Sequence, residues 1–528
     1  MSKRSTLARS SGLALTLLLL AGCAGGPQEG GPEPSTDLGF PTSDNVASGG
    51  EMTIGLGGVP PILDPLMYGT PPTNFIQELL FSSLTRMETK DGTAKLVPGM
   101  ATSWEQVNPT TWEFQVREGV TFPNGEKLDA NAMAFSLNYL RDPENAKANA
   151  AHVKTVSGAK ATSSTTLVVT TAEPDPLLPN RMVAVYGLPP QDVTDRGAEF
   201  FANPIGTGPF EVVNFQPEQL LELQRNENSA YGPPNLERLV LQALPDAGAR
   251  IAALKAGDVD AINRLTTEQV KSVASAGFTV AYQIENGTYI VTAIQSDGPL
   301  SDVRVRQAIS MAIDREALNE SLLDGLGQPA SQFVKPGAIG YCPALKTVKY
   351  DPDGAKKLLA EAGYADGFST KLQASNGYLV NDTTLAEAMQ AMLADVGIDA
   401  TLEIQEFGSF LDSYFDPNQR PGLYAWRNGN QHFLDAESAM TNLSGLNATH
   451  KTIFSNSEFD QTLLAVRSEL DADKRQKQLC TLAGILRDEA PVIPVLHLPD
   501  VWALSDEIVN FPINGSGVPD FADVGFKP

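Results

Sequence analysis

Residues 96–140 read LVPGMATSWEQVNPTTWEFQVREGVTFPNGEKLDANAMAFSLNYL. Two periodicities meet in this stretch. Thr111 to Val116 (TWEFQV) alternates apolar and polar side chains with period two, the pattern of a strand with one buried face. Further on, Met133, Leu137 and Leu140 fall on one face of a helix. Asp129 stands just before it, where a carboxylate accepts from the first unpaired backbone N–H groups. Strand and amphipathic helix in one short window predict a mixed α/β or α+β chain.

Outward from this window the same signals alternate to the C-terminus. Leu220 to Arg225 faces Glu211 to Phe215 across Gln216-Pro217-Glu218-Gln219, the make-up of a hairpin. Asp246 opens a helix that Gly257 closes, because glycine adopts the left-handed helix-ending conformation without steric cost. Asp302 opens another, with Val305, Ile309 and Ala312 facing inward. Asp351-Pro352 begins a helix that ends at Gly363, with proline in the first turn, where its missing N–H costs nothing. Leu385 to Val396 stops at Gly397; Ile398, Ala400, Leu402 and Ile404 then alternate as a strand. Helical periodicity covers 457–471 and 473–489, and PVIPVLHL (491–498) reads as a buried strand or strand pair.

The N-terminus departs from this pattern. Lys3, Arg4 and Arg9 precede an apolar run, Leu13 to Leu20, that is shorter than the roughly 20 residues a membrane-spanning helix needs. Basic, apolar, small is the order of a secretory signal. Leu20-Ala21-Gly22-Cys23 resembles the bacterial lipobox, which implies that residues 1–22 are removed and that Cys23 carries a lipid. Residues 23–50 are rich in Gly, Pro, Ser and acid, too poor in apolar surface to fold alone, and read as a flexible leash. Ala24 behind the cysteine favours a single-membrane host, where the lipid faces outward from the cell membrane; in a Gram-negative host it would face the periplasm. No later run is long and apolar enough to span a membrane.

The chain has 528 residues, 42% hydrophobic and 19% charged, the balance of a folded protein with more than one packing unit. A net charge of −25 argues against a nucleic-acid or anionic-membrane partner. Beyond Cys23, Cys342 and Cys480 form an even pair in an exported chain, which suggests a disulfide; two buried free thiols are the alternative. Catalytic signatures are missing. No serine stands in a G-x-S-x-G frame, and His152, His432, His450 and His497 show no H-E-x-x-H spacing. There is no P-loop. Gly55-Leu56-Gly57-Gly58 lacks the last glycine of a dinucleotide fingerprint and reads as a strand end. No catalytic residue, metal or cofactor is expected.

Residues 96–140 resemble the signature region of the family 5 extracytoplasmic solute-binding proteins, the dipeptide, oligopeptide and nickel receptors of ABC importers. PIGTGPF (204–210) matches that family's short motif. YGPPNLERLVLQALPDAGARIAALKAGDVDAI (231–262), LSDVRVRQAISMAIDREAL (300–318), YDPDGAKKLLAEAGYADGF (350–368) and APVIPVLHLPDVWAL (490–504) continue the series in order from about residue 51 onward. Each motif has a structural reading as well. The prolines and glycines of PIGTGPF make a tight turn into a strand, Trp104 and Trp112 read as core, and Arg304 and Arg306 as partners of local carboxylates.

The resemblance implies a two-lobed periplasmic-binding-protein-like clamp with a hinge. Lobe I would be 51–293 with 498–528 returning to it, and lobe II 294–497. The chain would cross near Tyr289–Gln295 and Pro494–Pro499, and both cysteines would fall in lobe II. It also implies a monomeric receptor that closes on a small solute and delivers it to permease subunits driven by separate ATPases. A ligand contacting both lobes shifts the population toward the closed form. In the family's dipeptide receptors a Trp is followed closely by an Asp that holds the ligand's amino terminus. Here Trp426 is followed by Arg427, Asn428, Gly429 and Asn430, with no acid before Asp435. Candidate ligand contacts are Tyr68, Tyr424, Trp426, Asn428, Asn430, His432 and Asp435. A peptide or peptide-like solute is the expected ligand. An oligosaccharide resting on Trp426 and the two asparagines is one alternative, and a metal chelate at His432 is another. The competing class is an anchored extracytoplasmic hydrolase.

Overall fold

A computed structural model describes residues 41–528 except 68–70, 91–92, 146, 295–297, 377–378, 380, 417–421, 429–434, 442, 445–453 and 512–520. The architecture is mixed α/β. Its frame is three sheets, each with its own apolar core.

The first sheet has seven strands. In spatial order they are Thr279–Ile284, Pro499–Leu504, Ala261–Asn263, Glu51–Leu56, Arg238–Ala243, Leu220–Arg225 and Phe210–Gln216. Glu51–Leu56 runs parallel to both its neighbours. The expected hairpin forms, pairing Phe210 with Arg225 and Gln216 with Leu220. The second sheet has four antiparallel strands, Ala101–Asn108, Thr111–Val116, Thr166–Thr171 and Val156–Ala161. Helix Ala130–Arg141 packs on it, capped by Asp129, whose side chain accepts from the amides of Asn131 and Ala132. Met133, Leu137 and Leu140 are buried in this core, and Trp104 and Trp112 pack half-buried against it.

The six strands of the third sheet are Gln328–Pro329, Val492–His497, Thr288–Ala293, Gly422–Asn428, Phe368–Asn376 and Ile398–Glu406. Apolar cores lie on both faces, so its inner strands do not simply alternate buried and exposed side chains. Thr288–Ala293 shows this: Tyr289, Val291 and Ala293 enter one core, and Ile290 enters the core on the opposite face.

The glycines of PIGTGPF have a packing reason. An ideal Cβ on Gly206 would lie 1.9 Å from the Leu80 carbonyl oxygen, and one on Gly208 would lie 2.5 Å from the Leu80 carbonyl carbon. The bare backbone lets the Gly208 amide donate to the Leu80 carbonyl at 3.0 Å. Helix ends follow their caps. Asp246, Asp302 and Asp351 each accept from an amide of the first turn. Gly257, Gly363 and Gly397 have positive φ. One helix begins earlier than its periodicity suggests, at Asp382. The C-terminal pair divides between Ser468, where the first helix ends, and Asp471, which caps Ala472–Glu489.

The chain passes from the first sheet to the third through 285–287 and returns through Leu498. The first passage therefore lies a few residues before the boundary expected at 293, because Thr288–Ala293 already pairs inside the third sheet. The passages adjoin: the Glu285 amide donates to the Leu498 carbonyl at 2.9 Å.

Candidate functional site

Strand Gly422–Asn428 points at the region where the sheets meet, and alternation divides its side chains. Leu423 and Ala425 enter one core of the third sheet; Tyr424 and Trp426 face the other. Tyr424 is fully buried, its hydroxyl 3.2 Å from Ser413 Oγ and its ring edge-on to Phe410 and Tyr414. It belongs to the packing. Trp426 is half-buried, its ring centroid 4.6 Å from that of Tyr414, and its indole N–H has no acceptor among the described residues. Asn428 is buried at the strand end, opposite Thr288.

Arg427 turns to the other face and meets the chain passage. Its Nε lies 2.6 Å from Glu285 Oε2. Gly287 makes room, since an ideal Cβ there would lie 2.1 Å from the same nitrogen. The return passage brings Asp500, which accepts from the Trp502 indole at 3.0 Å. Burial, and then Glu285, push the Asp500 carboxyl well above the usual carboxylate range. Lys335 donates to the Ile284 carbonyl at 2.8 Å, and burial lowers its ammonium to about 8. His497 is buried with Nδ1 3.1 Å from Thr288 Oγ1, and burial pushes it down to about 4. Both passages are thus lined by charged groups drawn from both sides.

Asp435 is completely buried and engaged. Arg475 grips it with two nitrogens, Nη2 to Oδ1 at 3.0 Å, and the carboxylate also accepts from the Glu437 amide at 2.8 Å. Burial raises the carboxyl despite Arg475. Glu437, two residues on, is also buried. Its Oε1 accepts from Thr441 at 2.7 Å and from Arg467 Nε at 2.9 Å. Its Oε2 lies 3.4 Å from Nη2 of Arg181, which belongs to the unit built on the four-stranded sheet. Arg181 is held at home by Asp175, Nε to Oδ2 at 3.1 Å. Burial alone would raise Glu437, but Arg181, Thr441 and Arg467 together hold it below the ordinary value. Burial would lower Arg181, but Asp175, Glu437 and Asp435 hold it above.

The expected contacts are therefore distributed. Trp426 and Asn428 stand together at one strand end, while Tyr424 and Asp435 have internal partners. Tyr68, Asn430 and His432 lie outside the described residues, as does Cys23. Cys342 and Cys480 are joined in a disulfide with Cα atoms 5.6 Å apart. Arg304 pairs with Asp302, and Arg306 is buried against the Leu300, Ser301 and Glu489 carbonyls. Sequence reading missed Arg181, Glu285 and Glu437. The available signal was a charge inside an apolar run, as in LLPNRMVAVYG for Arg181. No group of three metal-ligating side chains occurs among the described residues.

Residues 95–450 match the profile described as "Bacterial extracellular solute-binding proteins, family 5 Middle". Heme-binding protein A of Haemophilus influenzae is 26% identical over 465 residues, 80% of this chain and 83% of that protein. The dipeptide-binding protein of Escherichia coli is 24% identical over 476 residues, 84% of this chain and 88% of that protein. The ABC transporter substrate-binding protein CtaP from Listeria monocytogenes superposes with a TM-score of 0.82 at 20% identity. That match spans 91% of this chain and all of that one.

Proposed function

This chain belongs to the family 5 bacterial extracellular solute-binding proteins, and from that premise we propose that it is the lipid-anchored receptor of an ABC importer. It captures a peptide or peptide-like solute between two lobes and hands it to membrane permease subunits served by separate ATPases. The observation that carries this reading is the double passage at 285–287 and Leu498. Two short adjacent connections between separately cored units form a hinge, about which closure on a solute costs little internal packing. Lobe I is the seven- and four-stranded sheets, with the C-terminal segment returning to it; lobe II is the six-stranded sheet and its helices. A lipid on Cys23 keeps the receptor close to its permease and raises its effective concentration there. The chain performs no catalysis.

The names of the relatives point to different ligands, heme and dipeptide. The site narrows the choice by its charges. Asp435 is committed to Arg475, Glu437 to Arg467 and Arg181, and Glu285 to Arg427. None of these carboxylates is available to a ligand's ammonium, the natural use of a buried acid in peptide recognition. A peptide that meets only these carboxylates is held by its backbone and side chains, and blocking its amino terminus then leaves affinity nearly unchanged. A neutral, hydroxyl-rich solute is the second reading, favoured by the half-buried Trp426 ring and its indole N–H, which has no acceptor among the described residues.

Native mass spectrometry of protein purified without refolding, followed by thermal shift with free and N-acetylated di- and tripeptides, tests this. A ligand at 100 times its Kd stabilises by about 2.7 kcal/mol, so a rise in Tm with both peptide forms is expected. A rise only with free amines would overturn the charge argument. A bound sugar mass, with no shift by any peptide, would replace the peptide by the second reading.

A further inference from the structure

We propose that Arg181 and Glu437 form a reversible latch that holds the two lobes together before any solute arrives. The inference rests on the reading that the lobes open and close about the two passages. Arg181 stands on helix Leu178–Arg181, rooted in the core of the four-stranded sheet through Leu178 and Met182. Glu437 stands on helix Ala436–Thr441, rooted in the helical core of the six-stranded sheet through Ala436, Ala439 and Met440. Their contact, Nη2 to Oε2 at 3.4 Å, joins side chains 256 residues apart.

What marks it as a latch is that each partner keeps a second partner on its own side. When the contact opens, Arg181 retains Asp175, and Asp175 retains the Thr155 hydroxyl at 2.6 Å and the Leu177 amide at 3.0 Å. Glu437 retains Arg467 and Thr441. No charge is left buried and alone, which is the state that makes breaking an internal ion pair expensive. Closed, the network holds two carboxylates, Asp175 and Glu437, and two guanidiniums, Arg181 and Arg467, so it is neutral. A permanent strut would look like Asp435 and Arg475 instead, fully buried and gripped twice within one lobe.

Further contacts between the lobes among the described residues differ in place. Lys271 meets Asp324 at 3.2 Å, the Thr267 hydroxyl donates to the Leu322 carbonyl at 3.0 Å, and Leu326 packs with Val270 and Val273. That apolar cluster includes Val501, three residues past the return passage, so these contacts sit beside the hinge, where rotation moves atoms least. Arg181 and Glu437 belong to neither hinge strand nor to that cluster. A single charge-assisted hydrogen bond of this kind is worth about tenfold in an equilibrium. It biases closure and leaves the decision to the solute.

The test is pulsed electron–electron spin-resonance distance measurement on the whole ligand-free protein. Spin labels are placed on Asn124→Cys and Lys477→Cys, both exposed and in different lobes, with the native disulfide intact. The ligand-free parent should show a short-distance population. Arg181→Met and Glu437→Gln should each lower its closed-to-open ratio about tenfold, and the double variant should lower it no further. Unchanged distributions in both variants, or an additive double variant, would overturn the latch. Glu437→Gln keeps the shape of the side chain and decides the matter if Arg181→Met fails to fold. Adding Ala-Ala and Ala-Ala-Ala to the parent separates the two readings. No compaction by these or longer peptides would count against the peptide receptor and leave the latch standing on its ligand-free result.

Discussion

At Gly206 an added methyl group has no room, because the Leu80 carbonyl oxygen occupies its position at 1.9 Å. The oxygen is backbone and cannot swing aside, so Gly206→Ala must displace a strand connection. A destabilisation of about 3 kcal/mol is expected, at the upper end for overpacking, read as a lowered guanidinium midpoint with unchanged slope. The sequence showed that this motif was scaffold, since proline and glycine together announce a turn, but not which backbone it lies against. Asp435 shows the limit from the other side. Position after a tryptophan made it a candidate for a ligand's amine, whereas its partner Arg475 is 40 residues further on, a separation no local pattern reports. Arg181 and Glu437 were illegible for the same reason at greater range. Isolated charges in apolar runs were visible; their meeting was not.

Among the elements, helix Ala472–Glu489 is the one that organises lobe II around the site. One stretch of it carries Arg475 to Asp435, Gln476 to the Gly340 amide and the Tyr341 carbonyl, and Cys480 to Cys342. The segments at 340–342 and 435–437 are thereby fastened to one rigid rod. The disulfide closes a sequence separation of 138 residues, a long loop whose restriction in the unfolded chain stabilises the fold by about 2–4 kcal/mol. Replacing both cysteines by serine should lower the unfolding midpoint by that amount. An unchanged midpoint would mean that the unfolded chain already keeps these segments close without the cross-link, so that the bond restricts it little. At this scale the sequence was most readable. Capping aspartates and terminal glycines act through neighbours three or four residues away, so their signals survive without knowledge of the fold. Strand membership was less so. Thr288–Ala293 is buried on both faces, threonines included, so period alone cannot assign it to a sheet.

At the scale of the whole molecule, the charged lining of the hinge ties stability to pH in two opposed ways. His497 is buried neutral with its pKa lowered to about 4, against an ordinary 6.5. The folded form thus binds fewer protons in that window, and stability is lost as pH falls through it. Asp500 is raised, so the folded form binds more protons above the ordinary carboxylate value, and stability is lost as pH rises from there. The two slopes offset one another in mild acid. Asp500→Asn keeps an acceptor for Trp502 and removes only the second slope. It should raise the denaturation midpoint at pH 7, give no gain at pH 4, and uncover a steady loss from pH 6.5 to 4. No gain at pH 7 would mean that Arg264 and Arg427, the two cations whose charges favour the Asp500 carboxylate, already compensate it. The mixed architecture could be read from the sequence because periodicity is local, and the two-lobed arrangement only through resemblance, because sheet order depends on which distant strands meet. One such meeting sets the timing of assembly. Strand Pro499–Leu504 fits between Ala261–Asn263 and Thr279–Ile284 and pairs with both. The strand just before it, Val492–His497, is in turn needed to complete the six-stranded sheet. Both sheets therefore wait on one short, late-made run, and during synthesis and export the two lobes share a stage with an open slot, at which a chaperone has something to hold.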